Sequence, residues 1–296
     1  MRTHTLLTVL VVVGSTALFP AVGAQSHQHA APAKLTPLTL RQIDTVKSAA
    51  ASLATSDGAT GAGYQPVLGW IPMMGTHWVH GQRMMKGKEA VTLTTPSQLM
   101  FSRVNGKETL VGIAFAYYSD ISDKANPILF ESEPAWHDHP DLSPPGMNMH
   151  MLHVWFVDSP DGPFAGMNPF LPYWAAGATP PDATRMADAA FSSRVRKGAL
   201  ALAETVATEG LFPVLAKRAG PRAVLEERRP KILALVAPLN SAHAAREWKT
   251  WDALMDELAG HFDAIREAYV TSALDPAVKA RINKALDDMI RGGHAH

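Results

Sequence analysis

The sequence predicts an α+β protein with an N-terminal helix, a mainly antiparallel β-sheet or barrel, and then a helical C-terminal region. Three observations carry this. Leu40, Ile43, Val46, Ala50 and Leu53 recur at three- and four-residue steps, the period of one helix face. Between Tyr64 and Trp174, proline, glycine, aromatic and β-branched residues dominate, in short runs broken by turn signals. Beyond Pro181 the chain becomes rich in alanine, leucine, arginine and glutamate with helical periodicity.

At the N-terminus, Arg2 precedes an apolar run from Leu6 to Phe19 and the small residues Ala21, Gly23 and Ala24. That is the pattern of a secretory signal, with cleavage expected after Ala24, and the run is short for a membrane span. No later stretch is long and apolar enough to cross a bilayer, so the mature chain is expected to be periplasmic or secreted. Residues 25–37 are polar and contain alanine and proline, as in a disordered tail. The expected division is then 1–24 signal peptide, 25–37 tail, 38–180 β-rich domain with its leading helix, and 181–292 helical region.

Within the β-rich part, the runs "AVTLTT", "QLMFSRV", "TLVGIAFAYY" and "MLHVWFV" read as strands. Asn105-Gly106 favours a tight hairpin turn and so predicts that "QLMFSRV" and "TLVGIAFAYY" pair antiparallel. In the C-terminal part three to five helices are expected, divided by Pro213, Pro221, Pro230 and Pro238. The last should start with Asp275 as N-cap and Pro276 in its first turn, and stop at Gly292-Gly293.

Composition excludes several chemistries. The chain carries 27 basic and 27 acidic residues, so bulk charge gives it no affinity for nucleic acid. It has no cysteine, which removes thiol nucleophiles, thiolate metal sites and redox disulfides. No nucleophile elbow, phosphate-binding loop or dinucleotide-binding glycine pattern is present, and no motif assigns an enzymatic reaction.

Histidine and methionine are the informative residues. Six of the thirteen histidines, His77, His80, His137, His139, His150 and His153, fall in the β-rich domain as three pairs. His137 and His139 are two apart and so share a face of an extended strand; His77 and His80, like His150 and His153, are three apart and diverge on an ideal strand. Imidazole is the commonest metal ligand, so the six are candidates for a copper or zinc site. Met147, Met149 and Met151 alternate in register with His153, and thioethers select Cu(I) over harder ions. Methionine is also an adaptable core filler, and the stripe taken alone is better explained by packing than by ligation. Glu131 and Glu133 stand close enough in sequence to His137 to join it as ligand or base. Cleavage after Ala24 would leave Gln25-Ser26-His27, a terminus able to chelate Cu(II) in a square plane.

The motifs "MMGTHWVH", "TLVGIAFAYY" and "LHVWFVDSPDGPFAGMNP" together resemble a family of uncharacterised exported bacterial proteins, a domain of unknown function. The resemblance runs from Tyr64 to Pro172. It rests on Met74, Gly75, His77, Val79, Leu152, His153, Val154, Trp155, Gly162, Phe164, Ala165, Asn168 and Pro169. It implies a compact β-rich domain in the cell envelope, with His77 and His153 shared, and implies no activity. Two positions depart from the pattern: His80 stands where asparagine is expected and Ala114 where glutamate is expected.

The expected function is therefore an exported metal-binding protein that uses the histidine cluster, with a copper or zinc ion as its partner. The alternatives are a small-molecule binding module with a pocket lined by Trp70, Trp78, Trp136, Trp155 and Trp174, or a structural assembly protein.

Overall fold

Thr36 sets the start of the first helix among the described residues: its hydroxyl accepts the Thr39 N–H and caps α1 (Pro37–Ala50), which has proline in its first turn. The computed structural model describes residues 35–123, 125–132, 134–207 and 210–292. The expected export signal, the expected Gln25-Ser26-His27 terminus, Glu133 and the His294–His296 stretch lie outside these residues. Helix α1 begins one residue inside the stretch read as tail, and buries Ile43, Val46 and Ala50, leaving Leu40 exposed. A short helix, α2 (Ser56–Gly61), follows.

Among the described residues six strands form one open antiparallel sheet: β1 (Gln65–Ile71), β2 (Gly75–Val79), β3 (Gln98–Val104), β4 (Lys107–Asp120), β5 (His137–Asp138) and β6 (Met147–Trp155). A four-residue helix, α3 (Gly81–Met84), separates β2 from β3. The spatial order is β1-β2-β3-β4-β6-β5, so β1 and β5 are the edges and the sheet does not close into a barrel. The β3–β4 hairpin forms as the Asn105-Gly106 pair predicts, with φ of 51° and 78° at the two turn residues.

The run "AVTLTT" is not a strand. Thr95 donates its hydroxyl to the Ala90 carbonyl at 3.2 Å and pairs with the Thr92 hydroxyl at 2.8 Å. Threonine side chains here serve backbone and neighbours locally, and the β-propensity of the run is overridden.

One face of the sheet packs on α1 and α2. Ile43, Val46, Ala50, Leu99, Phe101, Ile113, Phe115, Leu152 and Val154 make this core. The other face carries Met149, Met151, Ala114 and Ala116, with Met84 of α3 laid against them.

The chain then enters the helical region through α4 (Leu171–Ala176). It continues as α5 (Ala189–Val206), α6 (Pro213–Ala216), α7 (Ala219–Ala234), α8 (Val236–Ala244), α9 (Trp248–Ser272) and α10 (Pro276–Arg291). Among the described residues six helices thus follow Pro181, one more than the upper expectation, because α6 is a separate single turn. Pro213 starts α6 as expected, whereas Pro230 lies inside α7 and does not divide it. Asp275 caps α10 and Gly292 ends it at φ 86°, both as predicted. Among the described residues no helix is long and apolar enough to cross a membrane.

A second core lies among the helices, where Phe191, Val195 and Leu202 of α5 meet Trp251, Met255, Leu258 and Phe262 of α9. It holds one buried acid: Glu204 accepts from the Tyr269 hydroxyl at 2.7 Å and the Leu211 N–H at 3.0 Å, with Arg229 3.5 Å away. Burial pushes its carboxyl above the ordinary range, while the Leu211, Tyr269 and Arg229 contacts oppose that. Glu204→Gln keeps the shape but turns an amide toward Arg229, and is expected to lower stability by roughly 1–2 kcal/mol in urea unfolding.

Candidate metal centre

The strand register dictates which histidines meet. On β6, His153 shares a face with Met151 and Met149, whereas His150 projects to the other side. On β5, His137 is the cross-strand partner of Met151, and the N–H of His139 donates to the Met149 carbonyl at 2.8 Å. On β2, His77 is the partner of Met100, which is in turn the partner of Gly112 on β4.

Strands β3 and β4 stand between His77 and His153, so their backbones are about 14 Å apart at the usual strand spacing. Their ring centroids are nevertheless only 6.0 Å apart. The small residues of β4 leave room for this: Gly112, Ala114 and Ala116 form a low floor between the two rings. A Cβ added at Gly112 would sit 2.7 Å from the Val154 carbonyl oxygen and 2.8 Å from the Met100 methyl. Because the carbonyl is backbone, the clash cannot be relieved by a rotamer change. Gly112→Ala is expected to cost about 1–3 kcal/mol in thermal or urea unfolding.

The rings form a chain. His153 lies 5.1 Å from His137, centroid to centroid, and His137 lies 4.9 Å from His139. All four imidazoles, including His77, are at least nine-tenths buried. Burial pushes His77 down to about 4, opposed by a backbone hydrogen bond at Gly75. His153 is driven well below the ordinary histidine range, first by burial and then by the positive charge that His77 and His139 would carry. At neutral pH His77 and His153 are therefore neutral, the form that can ligate a metal.

The tautomer of His153 is fixed. Its Nδ1–H donates to the Gly166 carbonyl at 2.8 Å, which leaves the lone pair on Nε2. Gly166 belongs to the segment after β6, which is pinned at two more points. Trp155 donates its indole N–H to the Ala165 carbonyl at 2.6 Å, and Asn168 donates its side-chain amide to the Asp158 carbonyl at 2.8 Å. Asp161 of the same segment grips the buried Arg196 of α5 at 2.6 Å. Sequence reasoning overlooked Gly166, although its neighbours Phe164, Ala165 and Asn168 stood in the motif.

Two of the six predicted histidines are placed elsewhere. His150 lies on the α1 side of the sheet, stacked on Tyr117 at 4.9 Å, with Asp138 at 2.8 Å from Nδ1 and the Ser119 hydroxyl at 2.8 Å from Nε2. His80 follows β2 and meets Tyr64 edge-on at 5.3 Å, close to Gly63. Both are separated from the cluster by the two-residue alternation of a strand, since each is three residues from its partner.

Of the methionine stripe, Met149 and Met151 are buried with Met84 on the cluster face, while Met147 is partly exposed at the strand start. Glu131 is hydrogen-bonded to the Thr36 hydroxyl, on the α1 side. The five tryptophans have separate neighbours, apart from Trp155 and Trp174, which share one cluster. Trp70 donates to the Ser102 hydroxyl, Trp78 packs on Phe101, Trp136 on Tyr117, and Trp155 and Trp174 near Leu171.

Two imidazoles on one tetrahedral ion, with metal–nitrogen bonds of about 2.0–2.1 Å, have ring centroids roughly 5 Å apart. The His139–His137–His153 spacings match this, and His77–His153 is about 1 Å wider. Among the described residues, no three histidine, aspartate or glutamate side chains are already convergent on one point that would hold an ion. Binding therefore requires the rings to turn about their side-chain bonds. A scan against protein-family models, a search of curated proteins and a search of solved structures each return no match to this chain.

Proposed function

We propose that this is an exported metal-binding protein whose ion, copper or zinc, is held by His77, His153, His137 and His139. One observation carries the reading: four imidazoles from three strands and the end of β5 are buried in a continuous chain with ring spacings of 4.9 to 6.0 Å. The neutral rings of His77 and His153 present lone pairs that a bound ion can take, and each bond so formed offsets part of the cost of desolvating the ion. The Gly166 carbonyl supports the reading, because a ligating histidine is oriented by a hydrogen bond on its other nitrogen. The N-terminal apolar run supports an envelope location, where such a protein would meet metal from outside the cell.

Metal analysis of untagged protein purified from the periplasm or medium, before and after dialysis against copper and zinc, tests this. One ion per folded chain is expected. Metal that stays far below one equivalent after reconstitution would sink the proposal.

A further inference from the structure

We infer that the ion favoured by this centre is cuprous copper, bound by imidazole and thioether donors together; the inference rests on the metal-binding reading above. Its first support is the pairing of every clustered histidine with a methionine. Met151 is the cross-strand partner of His137 and lies two residues from His153 on the same face. Met149 accepts the His139 N–H on its carbonyl, and Met100 is the cross-strand partner of His77. Residues opposed in this way carry side chains within contact range of each other. Met84, Met100, Met149 and Met151 are all buried. Soft thioether sulfur selects Cu(I), whereas zinc prefers imidazole, carboxylate or thiolate.

Charge points the same way. Imidazole and thioether are neutral, so the charge of the ion stays uncompensated in a buried place. The desolvation cost of an ion grows as the square of its charge, so a divalent ion costs about four times as much as a monovalent one. Asp138, which lies between His137 and His139 in sequence, is turned to the opposite face and holds His150. Glu131 is engaged with Thr36. At position 114, beside His153 on the neighbouring strand, the chain has alanine. Coordination number fits as well: Cu(I) accepts two to four soft donors, and it does not require three nitrogens aimed at one point in advance.

The test uses the full chain, in anaerobic titration with Cu(I) against a competing chelator, with Ag(I) as a redox-inert counterpart and Zn(II) in parallel. One Cu(I) per chain is expected, at least about 1000-fold tighter than Zn(II). Met149→Leu with Met151→Leu, which preserves side-chain volume, should weaken Cu(I) about ten-fold or more and leave Zn(II) unchanged. X-ray absorption of the Cu(I)-loaded wild-type protein should show a sulfur scatterer beside nitrogen, a result that does not depend on any variant folding. Zinc bound more tightly than Cu(I), or a copper shell without sulfur, would overturn the cuprous assignment and leave the metal site standing. No stoichiometric binding of any of the three ions by folded protein would overturn both.

Discussion

His77→Ala combined with His153→Ala is expected to abolish stoichiometric metal binding, while His80→Ala and His150→Ala leave it in place. The two clustered residues come from β2 and β6, and their rings meet across the low floor of β4. Removing either ligand should weaken the ion on the order of 100-fold or more, and removing both leaves only the His137–His139 pair on the edge strand. His80 and His150 lie on the other side of the sheet. Equilibrium dialysis of the four proteins checks this. His150→Ala also leaves Asp138 and Ser119 without their shared partner, so it should lose stability without losing metal. If His150→Ala and the double variant lost metal equally, the partition of the six histidines by strand face would be wrong.

The second large effect concerns acid. His77 is held at about 4 in the folded protein, against an ordinary value near 6.5. Between these two values the unfolded chain binds a proton that the native chain refuses. Stability of the metal-free protein is therefore fully present above pH 6.5 and falls as pH drops toward 4. The contribution from His77 alone is about 3 kcal/mol across that window. His153 shifts in the same direction for the same reason, burial first, so it adds to the loss. Urea midpoints measured on apoprotein from pH 7.5 down to pH 4.5 should fall steadily, and His77→Gln should flatten the curve. A profile of wild-type apoprotein that is level between pH 7 and pH 5 would contradict buried, neutral imidazoles.

Local signals in the sequence placed much of the fold. The Asn105-Gly106 turn, the Asp275-Pro276 helix start and the Gly292 stop each depend on a few adjacent residues, and each forms as read. The run "AVTLTT" misled because threonine suits strands by shape but also satisfies itself locally through its hydroxyl. Pro230 misled because its position within a helix depends on packing that the sequence does not show.

The site was legible in part for the same physical reason. His137 and His139 were readable as convergent, since a spacing of two on an extended segment puts both on one face. The spacing of three also separated His150 from His153 once β6 was taken as a strand. The meeting of His77 with His153 was signalled only by their shared place in the motif. Its physical cause was hidden, because it depends on β4 lying between β3 and β6 and on Gly112, Ala114 and Ala116 being small. The orientation of His153 by Gly166 depends on a segment folding back over the end of β6, which no periodicity encodes.

The proposed metal centre takes the imidazoles of His77, His137, His139 and His153 and excludes those of His80 and His150. Long-range nitrogen–proton NMR of the histidine rings, recorded before and after one equivalent of metal, tests it most directly. Ring nitrogen signals of His77, His137, His139 and His153 are expected to shift or broaden, with Nδ1 of His153 keeping its proton and His80 and His150 unchanged. Shifts confined to His80 and His150, or no ring shift at all with metal bound, would contradict it.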